Sequence, residues 1–202
     1  EKIIDDLSIE YFKYLRESEG KDVVDEDTYN RCRQNANLIR EAPGVMDLLH
    51  LGANSFDVIS DSECYIKADI NDRSFDLHGF LDNYVIKHNS KTIIINDIKT
   101  TGKPIQKFSD SIDYYRYDLQ AATYIHLLTN KYSQYWPTGD YKLEYNFIVI
   151  DNYGQVCIFT YNHDRCIDIL GSLFQTLDVI EYHIANRKFD LPYDCLDGRI
   201  YI

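Results

Sequence analysis

The pattern of hydrophobic and polar residues predicts helices in the first quarter of the chain. Apolar residues there recur every three or four positions, as they do along one face of a helix. Three helical segments are predicted: one with Ile9, Phe12 and Leu15 on a common face, one over 28–42 with Asp25 or Asp27 near its start, and one over 45–51. Pro43-Gly44 separates the last two, because neither residue favours a helix interior.

From residue 62 onward the pattern changes to strands and then alternates between strands and helices. Strands are predicted over 62–70, 75–86 and 92–98, joined by turns short enough for an antiparallel meander. The run Ile93-Ile94-Ile95 indicates that the third strand is buried on both faces. The remaining elements are a helix over 114–130, strands over 141–150 and 155–161, and a helix over 164–186 that Asn162 caps. The expected fold class is α/β, with a mixed central sheet flanked by helices and further helices at the N-terminus.

Composition excludes several classes of protein. The 202 residues are 45% hydrophobic, which is enough for the core of one domain and excludes a disordered chain. No apolar stretch approaches the ~20 residues that a transmembrane helix needs, and no membrane partner is expected. The first six residues lack the basic and apolar regions of a signal peptide. Five cysteines without a C-x-x-C pair predict reduced thiols in a cytoplasmic protein, and argue against a zinc or iron–sulfur site.

The chain is strongly acidic, with 33 Asp and Glu against 21 Lys and Arg and a net charge of −12. A protein that binds nucleic acid without sequence preference is normally basic, so the total argues against that class. The segment 84–116 is an exception, with six basic and three acidic residues. Net charge therefore does not decide whether the partner is a nucleic acid, and 84–116 is the segment whose charge would suit one.

Two acidic residues, Asp82 and Asp97, stand on predicted neighbouring strands. Side chains alternate along a strand, so Asp97 and Lys99 share one face while Ile98 is expected to point into the core. Two carboxylates can hold a hard divalent cation, and a lysine beside them can orient or activate water. The ordinary alternative is that Asp82 caps a turn and that Asp97 and Lys99 form a solvated pair. Asp97 closely follows three isoleucines, however, where an unpaired carboxylate is costly unless it binds something.

Gln120 and Tyr124 lie four residues apart on the predicted helix, so they share a face. The adjacent Ala121 and Ala122 are small enough to let this helix lie close to the sheet. Taken alone, the pair is best explained as a side chain that bonds a backbone group and an aromatic ring in the core.

In combination these motifs resemble a known family. The motifs are Gly79-Phe80-Leu81-Asp82, Asp97-Ile98-Lys99-Thr100-Thr101, and Gln120 with Tyr124. They resemble the PD-(D/E)XK nuclease superfamily, within it the RecB-like branch, and most closely the exonuclease VIII-type (RecE-like) nucleases of phages and prophages. Two departures are that Leu81 replaces the proline that often precedes the first acidic residue, and that the cysteine cluster of the iron–sulfur members is absent.

The resemblance implies a restriction-endonuclease-like fold and a role for each matching residue. Mg²⁺ would be bound by Asp82, Asp97 and the main-chain carbonyl of Ile98, and Mn²⁺ could substitute for Mg²⁺. Lys99 would be the catalytic lysine. Gln120 and Tyr124 would support the site and meet the DNA strand. DNA contacts are expected from the basic segment, at Thr100, Thr101, Lys103, Lys107 and Arg116.

Two further residues are candidates for the metal site. The RecB-like branch places a metal-binding histidine on a helix ahead of the strands, and His50 is the upstream candidate. A histidine at a helix end otherwise interacts with the helix dipole. Glu63 is another acidic candidate, although a solvated strand residue is the simpler interpretation.

The implied function is metal-dependent hydrolysis of DNA phosphodiester bonds, by an exonuclease that digests linear duplex DNA in phage-type recombination. Two alternatives stay open: an inactive nuclease fold that serves as a DNA-binding or recombination module, and an endonuclease on the same core. The expected partners are DNA, a single-strand annealing protein and further copies of the chain in a ring-like homo-oligomer. A single domain is expected, with a helical part at 1–52, the catalytic sheet and helix at 62–161, and a helix and tail at 162–202.

Overall fold

A computed structural model describes residues 2–21, 23–52, 54–70, 73–133 and 140–189. The chain divides into two compact units, 1–37 and 38–202. Among the described residues, no helix is both long and apolar enough to cross a membrane. The predicted tail beyond residue 189 lies outside the described residues.

The first unit contains helix α1 (Lys2–Ser18) and most of helix α2 (Glu26–Glu41), where the periodicity predicts helices. Asp25 caps α2, since its Oδ1 accepts the Thr28 N–H at 2.8 Å and its Oδ2 accepts the Thr28 hydroxyl at 2.9 Å. These hydrogen bonds stabilise the carboxylate and lower the pKa of Asp25. In α1, the apolar residues Ile9, Phe12 and Leu15 are exposed.

A five-stranded mixed sheet forms the centre of the second unit. Its strands are β1 (Val58–Asp69), β2 (Asp76–Lys87), β3 (Thr92–Thr101), β4 (Lys142–Asp151) and β5 (Val156–Tyr161), and they lie in that order across the sheet. Strands β1 to β3 form the predicted antiparallel meander. Strand β4 runs parallel to β3, and β5 is antiparallel to β4. A parallel pair needs a long crossover, which here is helical.

The crossover from β3 to β4 contains a 3₁₀ turn (Ile105–Lys107), helix α4 (Phe108–Tyr115) and helix α5 (Tyr117–Lys131). The prediction of one helix over 114–130 is wrong, because Arg116 adopts a left-handed conformation with φ 54° and divides it. The Arg116 N–H bonds to the Asp113 carbonyl, and the Arg116 carbonyl accepts the Leu119 N–H, so these backbone groups stay paired through the turn. No glycine or proline marks the position, and periodicity alone therefore does not reveal it.

The described part of the second unit also contains helices α3 (Val45–Leu49) and α6 (His163–Asn186). Helix α3 ends at Leu49, two residues before the predicted end, and the next residue, His50, is left-handed with φ 43°. The predicted cap of α6 is confirmed, since Asn162 Oδ1 accepts the Arg165 N–H at 3.0 Å.

Helices cover both faces of the sheet. Helices α4, α5 and α6 pack over one apolar core, whereas α3 and the end of α2 pack on a smaller cluster around Ile148. Ile93, Ile94 and Ile95 are all buried, as predicted. The expectation that Ile98 points into the core is wrong, because its side chain is 38% exposed. Helix α3 bonds to β3 at Asn96, and Ile98 lies beyond that contact.

Candidate active site

Strands β2 and β3 separate where the two predicted acidic residues lie. The ladder between these strands ends at the pair Asn83 and Asn96, and Asp82 and Asp97 are the next residues. Beyond the last ladder pair, backbone groups and side chains of the two strands are available for other contacts. The end of the β2–β3 ladder thus brings the two carboxylates to one place.

Asp82 also lacks a ladder partner on β1, the strand on the other side of β2. The ladder between β1 and β2 runs from Val58 to Asp69 and skips only the pair Glu63 and Asp82. Glu63 has a left-handed φ of 51°, and the ladder between β1 and β2 is interrupted at this residue. Asp82 Oδ2 instead accepts the Ile98 N–H from β3 at 2.7 Å. Glu63 therefore contributes through its backbone, by the interruption that leaves Asp82 directed at β3.

Asp97 and Lys99 lie on one face of β3, as alternation predicts, and form an ion pair with Lys99 Nζ 2.6 Å from Asp97 Oδ2. The pair is not solvated, because 3% of the Asp97 side chain and 16% of the Lys99 side chain are exposed. Among the described residues, the Lys99 ammonium is the partner of this buried oxygen. A carboxylate oxygen has a further lone pair, which a metal cation could share.

The electrostatic surroundings of Asp97 favour its protonated form. Burial raises the pKa of its carboxyl to about 6, Lys99 opposes the shift, and the negative charge of Asp82 adds to it. Such a carboxyl is mostly ionised at neutral pH, but at a free-energy cost that a bound cation would remove.

Tyr145 is a buried residue of this site that sequence reasoning missed. It lies on β4 opposite Ile95 of β3, and its hydroxyl has no hydrogen-bond partner among the described residues. Burial, followed by the charges of Asp97 and other nearby groups, raises the pKa of Tyr145 well above its ordinary value. The Tyr145 hydroxyl therefore lies in the neighbourhood of the ion pair between Asp97 and Lys99. The available sequence signal was alternation along the strand, which places Tyr145 on the same face as Leu143 and Phe147.

Helix α5 brings Gln120 and Tyr124 to the sheet. Gln120 Nε2 donates to the Tyr124 hydroxyl at 3.1 Å, so the two side chains form one unit. A Cβ on Gly79 would lie 2.8 Å from Tyr124 Cε1, which explains why glycine stands three residues before Asp82. The glycine lets α5 approach β2 closely, and Tyr124 packs against the strand that carries Asp82.

Tyr117, at the start of α5, was also missed by sequence reasoning. Lys99 Nζ lies 5.0 Å from the centroid of its ring, a distance typical of a cation–π contact. Lys99 is therefore held between the Asp97 carboxylate and the face of an aromatic ring. This contact depends on the turn at Arg116, which divides α4 from α5.

Three of the five predicted DNA-contact residues line one cleft beside Tyr117. Thr100, Thr101 and Lys103 belong to the lining of this cleft, whose volume is about 250 Å³. Lys107 and Arg116 flank α4 at its two ends, and neither lines the cleft. Both are exposed, and Arg116 Nε is paired with an Asp118 oxygen at 3.2 Å. The cleft thus contains part of the predicted interface, and DNA binding by all five residues stays a prediction.

A ladder of buried asparagines crosses the sheet directly behind the site. Asn96 Nδ2 donates to Asn83 Oδ1 at 2.7 Å, and Asn146 Nδ2 donates to Asn96 Oδ1 at 3.0 Å. Asn83 Nδ2 and Asn96 Nδ2 also donate to the carbonyls of Leu49 and Leu48, at 2.9 and 3.2 Å. The ladder therefore ties α3 to the residues that precede Asp97 and follow Asp82, and ties both strands to β4.

The ladder holds the end of α3, and hence the backbone of His50, close to this part of the sheet. Among the residues that the structure describes, however, no three His, Cys, Asp or Glu side chains converge in a way that would hold a metal ion. Asp82, Asp97 and His50 are therefore not a preformed set of ligands, and metal binding by His50 stays a prediction. Two carboxylates still suit Mg²⁺, which commonly takes one or two from the protein and completes its shell with water and phosphate oxygens.

Comparison of the sequence with protein-family models found no match, and comparison with curated proteins found none either. Among solved structures, the chain is similar to the "Putative exonuclease" from Eubacterium rectale, with a TM-score of 0.52 and 12% identity. The alignment covers 88% of this chain and 63% of that one, so the chain spans less than two thirds of that protein. SSO0001 is a second match, with a TM-score of 0.37, 13% identity, and coverage of 84% and 83%.

The likeness to the Eubacterium rectale structure concerns the fold. The fold is restriction-endonuclease-like. A five-stranded mixed sheet flanked by helices, with N-terminal helices before it, confirms the predicted fold class. The narrower resemblance to exonuclease VIII-type nucleases goes further than a likeness at 12% identity.

Proposed function

We propose that this chain is a metal-dependent nuclease that hydrolyses the phosphodiester bonds of DNA. The observation that carries the proposal is the convergence of Asp82, Asp97 and Lys99 where β2 and β3 separate, with the ion pair between Asp97 and Lys99 largely buried. An ion pair kept only for stability would bury such a group at a net cost. A site that binds a metal ion, in contrast, needs the buried carboxylate as a ligand.

Asp82 and Asp97 would hold a Mg²⁺ ion, with the main-chain carbonyl of Ile98 as a further oxygen ligand. When bound, the ion supplies Lewis-acid chemistry, which lowers the pKa of a coordinated water and offsets the charge of the phosphate. Asp97 is suited to this role because its ionised form is poorly solvated by the protein and gains most from a cation. Below about pH 6 a proton competes for the same oxygen.

Lys99 would act on the water that attacks phosphorus. Its ammonium is held between the Asp97 carboxylate and the Tyr117 ring, so its direction is restricted before substrate arrives. From there it would orient the water and stabilise the negative charge that develops on the phosphate oxygens. In-line attack would break the bond to the 3′ oxygen and leave a 5′-phosphate, as the resemblance implies.

Digestion from DNA ends is the proposed mode of action. It rests on the resemblance to exonuclease VIII-type nucleases, and the similarly folded Eubacterium rectale protein is named a putative exonuclease. A ring-like homo-oligomer would suit a chain of net charge −12, because enclosing the duplex keeps it engaged without many phosphate contacts.

The test is a nuclease assay on end-labelled linear duplex DNA, with Mg²⁺ and with EDTA. We expect cleavage in Mg²⁺, none in EDTA, and a loss of at least about 10³-fold in Asp97→Asn. Asp113→Asn is the matched control, since it removes the same charge from an exposed residue of α4. Undiminished activity of Asp97→Asn would overturn the metal assignment. Equal rates on covalently closed circular DNA would favour an endonuclease, and binding without cleavage would favour an inactive module.

A further inference from the structure

Four aromatic side chains, which we call the aromatic row, lead from the core to the surface beside the candidate site. Phe108 stacks on Tyr117 at 6.0 Å between ring centroids, and Tyr117 stacks on Tyr115 at 5.5 Å, each with planes inclined by 27°. Tyr114 meets Tyr115 edge to face at 4.8 Å. Phe108 is buried, whereas Tyr115 is 59% exposed and Tyr114 is 76% exposed. The outer two rings thus have faces that the fold does not use.

The second ring of the row, Tyr117, contacts the candidate catalytic lysine. Lys99 Nζ is 5.0 Å from the centre of the Tyr117 ring, and Tyr115 is the next ring outward. The cleft of about 250 Å³ adjoins both rings. A group bound against Tyr115 would therefore be a neighbour of whatever lies at Lys99.

The charge of the cleft suits a nucleic acid strand. The chain carries 33 acidic residues, yet the lining of this cleft has no carboxylate and contains Lys103. Its polar groups are hydroxyls, among them Thr100 and Thr101, which can donate hydrogen bonds to phosphate oxygens. A cationic, hydroxyl-lined cleft beside an exposed aromatic face matches the two parts of a nucleotide.

We propose that the Tyr115 ring, with Tyr114 at its edge, stacks on an unpaired or terminal nucleobase of the strand whose phosphodiester lies at Lys99. This inference rests on the proposed nuclease function. The base must have an uncovered face, and inside a duplex both faces of a base are covered by neighbouring base pairs. The substrate is therefore a single strand or the end of a duplex. Every base has a π-face, so no sequence preference is expected.

The test measures binding in EDTA and does not require cleavage. Tyr115→Ala and Tyr115→Phe are compared with the wild type by fluorescence anisotropy of a labelled single-stranded oligonucleotide. The phenylalanine variant keeps the ring and should bind within about twofold of the wild type. The alanine variant should bind roughly 5- to 100-fold more weakly, which is the usual range for one stacked base. Tyr65→Ala removes another exposed tyrosine, on β1, and should change nothing.

A second oligonucleotide, made entirely of abasic nucleotides, separates stacking from phosphate binding. It keeps the phosphates, so the wild type and Tyr115→Ala should bind it equally. Equal affinity of the two proteins for the normal oligonucleotide overturns the inference, as does an equal loss on both oligonucleotides or an absence of DNA binding. A wild type that shows the stacking effect but cleaves nothing with Mg²⁺ would instead overturn the proposed function alone.

Discussion

Replacing Asp97 with asparagine should stabilise the metal-free protein at neutral pH while it abolishes DNA cleavage. Asp97 is 2% exposed, and burial raises the pKa of its carboxyl from 3.8 to about 6. Ionising the carboxyl therefore costs more in the folded protein than in the unfolded chain. Asparagine has the shape of the protonated acid and does not ionise, so the variant avoids this cost.

The size of the effect follows from the shift in pKa. A difference of about 2 pH units corresponds to about 3 kcal/mol, at 1.36 kcal/mol per unit. Because the folded pKa lies above the unfolded one, the wild type loses stability as the pH rises from about 4 to about 6. The advantage of Asp97→Asn should therefore be close to zero at pH 4 and reach about 3 kcal/mol at pH 7.

Urea unfolding followed by circular dichroism in EDTA, between pH 4 and 8, measures this difference. Asp113→Asn should change the free energy of unfolding by less than about 0.5 kcal/mol, because its side chain is exposed. Mg²⁺ should then reduce the difference in free energy of unfolding between Asp97→Asn and the wild type, because it stabilises the wild type. A ligand at a hundred times its Kd stabilises the protein that binds it by about 2.7 kcal/mol. An advantage independent of pH, or a variant less stable than the wild type at pH 7, would refute this account of Asp97.

Three further substitutions test other parts of the site. Lys99→Met should abolish cleavage yet still bind Mg²⁺ in calorimetry. Because Lys99 lowers the pKa of Asp97, the variant should bind Mg²⁺ more weakly at pH 6, where a proton competes, than at pH 8. Loss of Mg²⁺ binding at both pH values would contradict the role given to Lys99. Gly79→Ala places a Cβ 2.8 Å from Tyr124 Cε1, and should cost about 1–3 kcal/mol in urea unfolding and reduce kcat. Unchanged stability and kcat would show that the Tyr124 ring moves aside freely. Asn96→Leu breaks the asparagine ladder, and should lower the free energy of unfolding by about 2–4 kcal/mol; a change below about 1 kcal/mol would mean that the ladder is replaceable.

The order and type of the elements follow from local features of the sequence. Apolar residues at helical or alternating spacing mark the strands and helices, and turn and cap residues such as Pro43-Gly44 and Asn162 mark several of their limits. These signals are local because a helix or strand must present its apolar side chains on one face to be buried. The break at Arg116 is the main exception, since an arginine gives no local sign of a left-handed backbone.

The placement of Asp97 and Lys99 on one face also follows from local sequence, because it needs only the alternation of side chains along β3. The burial of Asp97, which raises its pKa, depends on helices packed from elsewhere in the chain. The exposure of Ile98 likewise depends on how far α3 extends over the other face. Residue type and spacing were thus enough to select the candidate pair, and the fold decided its electrostatics.

Contacts between distant residues were decided by the tertiary structure alone. Asp82 reaches β3 because the β2–β3 ladder ends at Asn83 and Asn96 and because the β1–β2 ladder is interrupted at Glu63. The Tyr117 ring meets Lys99 because α5 starts after the turn at Arg116 and crosses back over the sheet. Each contact joins elements whose register and distance are set by the packing of the whole core, and no single segment of sequence carries that information.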